Sequence, residues 1–123
     1  MGTSFSLGMM KMKRGEIWLV NLDPAVGSEI RKTRPAVIVS SDLVGILPLK
    51  VIVPLTEWKE RYANASWMVR IDSDDQNCLS KTSAADGLQV RSVSQQRLVR
   101  KVGVLKNIQV AQIVQAIVNV LQR

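Results

Sequence analysis

At 123 residues, 46% of them hydrophobic and 22% charged, the chain has the size and composition of one globular domain with its own core, which excludes disorder as the default state. The lack of histidine and the single cysteine, Cys78, exclude histidine-based acid–base catalysis, an internal disulfide and an ordinary zinc site. Seventeen Lys and Arg against ten Asp and Glu leave a net charge of +7, the footprint of a nucleic-acid binder or of a protein that meets an acidic partner.

Residues 1–12, MGTSFSLGMMKM, read as a leader or extension that is expected to be disordered, with Met12 as a natural start. Their apolar stretch is too short, and their charges lie on the wrong side, for a secretory signal. No apolar run approaches the roughly 18 residues needed to cross a bilayer, so a cytoplasmic protein without a membrane partner is expected. Residues 13–123 then form a single domain. RGEIWLVNL (14–22) predicts a first strand, followed by turn chemistry in DPAVG. RPAVIVSS (34–41) is a continuous β-branched run and predicts a central strand, with Pro35 tolerated only near its start. KVIVPLTE (50–57) predicts a third strand, in which Pro54 marks a bulge or an edge. SWMVRID (66–72), GLQVRSV (87–93) and RLVRKVGVL (97–105) predict a fourth, fifth and sixth.

Between them, DSDD (72–75) reads as a solvated turn rather than a cation site, because the spacing and closing Glu of a calcium loop are missing. NIQVAQIVQAIVNVLQ (107–122) predicts a helix capped by Asn107. Val110, Ile113, Val114, Ile117, Val118 and Leu121 form its packing face, opposite a solvated Gln-rich one. Short strands closed by one helix imply a mainly β fold, a strongly bent antiparallel sheet or open barrel.

Several of these segments, taken in order, resemble the MazF/PemK toxins: RGEIW, the LDPAVGSE loop, KTRP, VPLT and QVRSV. The resemblance covers almost everything from Met12 onward. It implies an SH3-like barrel with the C-terminal helix, a homodimer, and a metal-independent, cofactor-free endoribonuclease that cleaves single-stranded mRNA. It also implies neutralisation by a small antitoxin with an acidic tail, MazE-like or otherwise, with operator DNA as a further partner of the toxin–antitoxin pair. Arg34 in KTRP matches the family's catalytic arginine, and Thr56 in VPLT its catalytic threonine. Some relatives use an aspartate where this chain has Leu88, so that group is not carried over.

The chemistry agrees with those residue types. Metal-free RNA cleavage needs a base for the 2′-OH, a proton for the 5′ oxygen, and stabilisation of charge on the phosphoryl oxygens. Arginine presents a planar fork of donors to a phosphate, and Pro35 holds Arg34 in extended geometry. A threonine hydroxyl donates to a phosphoryl oxygen. Glu29 is the first acid/base candidate and Asp86 the second. Lys32, Lys59, Arg61, Lys81 and Arg91 are candidates for tracking the RNA backbone. Trp58 and Tyr62 lie among cations in EWKERYANAS (57–66), where exposed aromatic faces suit unstacked bases. Ser28, Ser83 and Gln89 complete the candidates, and the Gly- and charge-rich loop 23–33 is expected to be mobile.

The bland alternatives are an Arg34–Glu29 surface ion pair and a Thr56 hydroxyl bonded to backbone. At the level of function the alternatives are a gyrase poison of the CcdB type and a non-catalytic regulator that binds nucleic acid or antitoxin. The gyrase poisons depend on a C-terminal Trp-Gly-Ile that is absent here.

Overall fold

Alternation along three strands, β1 (Glu16–Asn21), β2 (Thr33–Ile38) and β3 (Leu49–Glu57), divides the interior in two. The computed structural model describes residues 12–44 and 47–122, and the rest of the expected leader, residues 1–11, lies outside the described residues. Ile17, Val37, Val53 and Leu55 point to one side, where they meet Ile71, Ala85 and the helix residues Val110 and Ile113. Val20, Ala36, Ile38 and Ile52 point to the other, with Leu22, Val93 and Leu98. Each fully buried aliphatic side chain of this kind contributes about 1.5–3 kcal/mol.

Four more strands follow, β4 (Met68–Ile71), β5 (Ser83–Asp86), β6 (Arg91–Ser94) and β7 (Leu98–Val104), before helix α1 (Asn107–Leu121). The sheet order is β4-β5-β3-β2-β1-β7, with β6 also on β3, and every pairing is antiparallel. The architecture is therefore the mainly β, bent antiparallel sheet with a C-terminal helix that the sequence predicts.

β3 bends the sheet by changing partners. Its Ile52–Pro54 segment pairs with β2, and its Leu55–Glu57 segment pairs with β5. Pro54 is fully buried at the changeover. It has no N–H for a ladder bond, so it suits the point at which one strand is released and another taken up. The expected bulge or edge at Pro54 is in fact this branch point.

The fifth strand is not where the β-branched pattern predicts it. Gly87–Gln89 is a 3₁₀ turn, the strand after it is only Arg91–Ser94, and Ser83–Asp86 is a strand the pattern does not signal. SAAD has almost no β propensity, yet Ala84 and Ala85 are fully buried. Their small side chains fit a strand packed between β3 and β4. Trp67, expected within a strand, precedes β4 and is 36% exposed.

The helix start also differs from the expectation. Lys106, not Asn107, is the cap residue, and its N–H donates to Gln109 Oε1 at 2.9 Å. Val110, Ile113 and Ala116 are buried, whereas Leu121 is 78% exposed. Among the described residues no helix is long and apolar enough to cross a membrane.

The RGEIW motif ties three segments together. Glu16 Oε1 accepts from the Lys13 N–H and from Trp18 Nε1, each at 3.0 Å, and its Oε2 meets Lys101 Nζ of β7 at 3.1 Å. In the DSDD segment, Asp74 Oδ1 accepts from the N–H groups of Gln76 and Asn77 at 2.9 and 2.7 Å. That carboxylate therefore organises a turn.

Candidate active site

The β2–β3 ladder pairs Ile38 with Ile52, Val37 with Val53 and Ala36 with Pro54. The same register continued by two residues would line Arg34 up with Thr56, on the face that carries Ala36 and Pro54. The ladder has already ended there. Thr56 pairs with Ala84 of β5, while Arg34 pairs with Val20 of β1. The two side chains thus stand on either side of an opening where β2 and β3 part.

Neither makes an ion pair or a side-chain–side-chain hydrogen bond among the described residues. Arg34 is exposed, and its one hydrogen bond is a long contact from Nε to Arg31 O at 3.4 Å. The described ion pairs are Arg70–Asp72, Lys81–Glu57 and Lys101–Glu16, so the guanidinium is not neutralised by Glu29. Thr56 is half-buried, and its hydroxyl makes no side-chain hydrogen bond among those residues.

The loop leading into Arg34 is hydrogen-bonded at several points. Lys32 adopts a left-handed backbone with φ of 70°, a conformation that costs a non-glycine residue about 1 kcal/mol or more. Its N–H donates to Asp23 Oδ1 at 2.9 Å, which fixes that kink. Arg97 Nη1 donates to Asn21 O and Asp23 O at 3.0 and 2.6 Å, and Arg91 Nη1 donates to Leu22 O at 3.3 Å. Glu29 turns back on its own loop, where Oε1 accepts from the Val26 N–H at 2.7 Å. Ser28, Glu29 and Lys32 are exposed. Gln89 does not extend toward open solvent. Its Oε1 accepts from the Ile30 N–H and its Nε2 donates to Ser28 O, both at 3.3 Å.

Asp86 ends β5 two residues beyond Ala84, so alternation puts it on the face of Thr56. It is only 8% exposed, and Oδ1 accepts from the Leu88 N–H at 3.1 Å. Burial raises its carboxyl above the ordinary 3.8, against the lowering effect of backbone N–H bonds from Leu88 and Gln89. Between that ordinary value and the raised one, the folded chain binds more protons than the unfolded chain. Stability therefore falls as pH rises through this window and levels off above it. Asp86→Asn keeps the acceptor and removes the charge, so the variant should be more stable than wild type at pH 7. The advantage should vanish on acidification below the ordinary value, to about pH 3. Thermal denaturation at the two values checks this, and equal stability at pH 7 would refute the burial argument.

Beyond Thr56 the chain forms a cation–aromatic cluster. Trp58 and Tyr62 meet edge to face with centroids 5.9 Å apart. The Arg61 guanidinium lies 5.3 Å from the Tyr62 ring and that of Arg70 lies 5.6 Å from the Trp58 ring. Trp58 Nε1 also donates to Glu60 Oε1 at 3.3 Å. Lys59 is exposed. Lys81 pairs with Glu57 at 3.3 Å, both side chains being more than half exposed, a bond weak enough to yield to a phosphate. Ser83 stands apart from these groups. It is buried on the opposite face of β5 from Ala84, and its hydroxyl donates to Lys81 O at 3.1 Å.

Two arginines, Arg70 and Arg97, join the surroundings of the site without a signal in the sequence. Their partners lie 12 residues away for Arg70 over Trp58, and 74 and 76 residues away for Arg97.

A family model described as "PemK-like, MazF-like toxin of type II toxin-antitoxin system" matches residues 13–121. The chain is 34% identical over 112 residues to endoribonuclease MazF9 of Mycobacterium tuberculosis, an overlap of 86% of this chain and 92% of that relative. Among solved structures it is similar to MazF from Deinococcus radiodurans, with a TM-score of 0.74, 18% identity and coverage of 89% and 94% of the two chains. It is also similar to an endoribonuclease from a mycobacterial species in complex with its cognate antitoxin, with a TM-score of 0.68, 16% identity and coverage of 89% and 93%.

Proposed function

The chain belongs to the PemK-like, MazF-like toxins of type II toxin–antitoxin systems, and from that premise we propose that Arg34 and Thr56 carry the endoribonuclease reaction of this toxin at the opening between β2 and β3. The observation that supports the reading is the β2–β3 register, which, continued two residues past its last pair, lines Arg34 up with Thr56, neither of them in an ion pair or a side-chain–side-chain bond among the described residues. The substrate is single-stranded RNA. The ribose 2′-OH attacks phosphorus, the 5′ oxygen leaves with a proton, and the products are a 2′,3′-cyclic phosphate and a 5′-OH. Arg34 stabilises the charge that builds on the phosphoryl oxygens, since a guanidinium is a planar fork of donors with no acceptor for a proton. Thr56 donates to one of the same oxygens.

Of the two acid/base candidates, Asp86 is favoured over Glu29. It shares the face of Thr56, and its raised pKa moves it toward the range where a carboxylate accepts a proton efficiently. Glu29 is exposed, and one of its oxygens is already held by the Val26 N–H. Lys32, Lys59, Arg61, Lys81 and Arg91 supply positive charge for the phosphate backbone, and Trp58 and Tyr62 supply faces for bases. The same basic surface suits an acidic antitoxin. A homodimer in the cytoplasm, and operator DNA as a ligand of the toxin–antitoxin pair, complete the reading.

The test is incubation of the purified chain with a defined single-stranded RNA in EDTA, beside its DNA copy. Cleavage of the RNA alone, with 5′-OH and 2′,3′-cyclic phosphate ends, is expected. A requirement for added metal, or 5′-phosphate ends, would overturn the mechanism.

A further inference from the structure

Gln89 is held on a firm base. Its turn begins at Asp86, whose carboxylate caps the Leu88 N–H. Gly87 is pressed against the sheet and the helix. Its N–H donates to Trp67 O at 2.8 Å, and a Cβ at this position would lie 3.0 Å from that oxygen and 3.4 Å from Ala116. From this base the Gln89 side chain reaches across 59 and 61 residues of sequence to Ile30 N–H and Ser28 O.

The other side-chain bonds to the loop from outside it, those of Arg91 and Arg97, reach only its root at Asn21, Leu22 and Asp23. Bonds farther along the loop, from Glu29 to Val26 and from Arg31 to Gly27, are internal to it. Among the described residues, Gln89 makes the only side-chain hydrogen bonds from the body of the domain to the middle of the loop, where the Ile30 side chain also packs against the core. A carboxamide suits that position because it donates and accepts at once. Four residues beyond Ile30 stands Arg34, whose Nε in turn contacts Arg31 O.

We propose that Gln89 is a positioning residue for RNA cleavage, fixing the β1–β2 loop against the turn after β5 and thereby setting where the Arg34 guanidinium meets the scissile phosphate. This rests on the ribonuclease reading above and replaces a base-contacting role for Gln89, since both ends of its carboxamide are engaged. A misplacement of about 1 Å at a reacting group can slow catalysis on the order of 100-fold. The loss should therefore appear in the saturated rate and not in affinity.

The experiment is single-turnover cleavage of a defined RNA by the full chain, as wild type, Gln89→Met and Gln89→Glu. Gln89→Met keeps the side-chain length and removes both hydrogen bonds. It should slow the saturated rate about 10- to 100-fold, leave the half-saturating concentration within about threefold, leave the melting temperature unchanged, and speed hydrogen exchange at the Ile30 amide. Gln89→Glu keeps the acceptor for Ile30 but places a carboxylate against Ser28 O. It should be impaired at neutral pH and recover relative to wild type as pH falls toward about 4.5, where a protonated carboxyl regains a donor.

A wild-type saturated rate in Gln89→Met would overturn the proposal. So would a change confined to half-saturation, or no pH-dependent recovery in Gln89→Glu. A wild-type chain inert toward RNA would instead overturn the ribonuclease reading on which it rests.

Discussion

Arg34→Ala should lower the single-turnover rate of RNA cleavage by about 10³-fold, equivalent to roughly 4 kcal/mol of transition-state stabilisation. The size follows from what the guanidinium does. In the proposed reaction it supplies two parallel donors and a full charge to a phosphoryl group at the moment negative charge grows there. Lys32, two residues earlier, itself forms the left-handed kink of the chain. Arg34→Lys should recover little, because an ammonium offers a point charge where a planar fork is needed. Thr56→Val should fall about 100-fold by loss of one oriented donor. None of these changes should disturb the fold. Arg34 is exposed with one long hydrogen bond, and the Thr56 hydroxyl has no intramolecular partner among the described residues. Rates measured beside melting curves separate the two effects. Cleavage near the wild-type rate by folded Arg34→Ala would end the assignment.

The largest loss of stability is expected at a residue with no part in the chemistry. Gly103 lies in β7, and a Cβ added there would fall 2.3 Å from Asn77 O, 2.5 Å from Asn77 C and 2.6 Å from Gln76 O. All three are backbone atoms, so no rotamer change relieves the clash. The segment they belong to is itself braced. Asn77 is fully buried, its Nδ2 donates to Asp72 O at 2.9 Å, and its Oδ1 accepts from the N–H groups of Asp74 and Leu79, each at 3.0 Å. Gln76 O also receives the Val104 N–H at 3.0 Å. Gly103→Ala must push this loop off β7 or distort the strand, at a cost of about 3 kcal/mol. In a domain of this size that lowers the melting temperature by roughly 10 °C. Thermal denaturation checks the figure, and a melting temperature equal to wild type would mean that the loop gives way freely.

Much of this architecture is legible in local pattern. The runs in RPAVIVSS and KVIVPLTE are β-branched enough to leave only a buried strand, and the tail from Asn107 has a helical period despite its valines. SAAD is the instructive failure. Nothing in three small residues and an aspartate announces a strand, and only the space between β3 and β4 makes Ser83–Asp86 one. The same limit applies to the ends of elements. Lys106 rather than Asn107 caps α1 because Gln109 reaches back to it, a choice between neighbours that propensity alone does not resolve.

The candidate site divides along the same line. Its residue types, the arginine before a proline and the threonine ending a strand, stand in the sequence, as do the basic charge and the family those motifs mark. Where each stands in the fold depends on where β3 lets go of β2, which is a property of paired backbones. The roles of Gln89, Arg91 and Arg97 in holding the loop, and the burial that raises Asp86, come from partners many positions away or from neighbours in space. Periodicity and turn chemistry are local and are written in consecutive residues. A side chain that bonds a distant carbonyl, or loses its water to a packed sheet, acquires that environment only when the chain has folded.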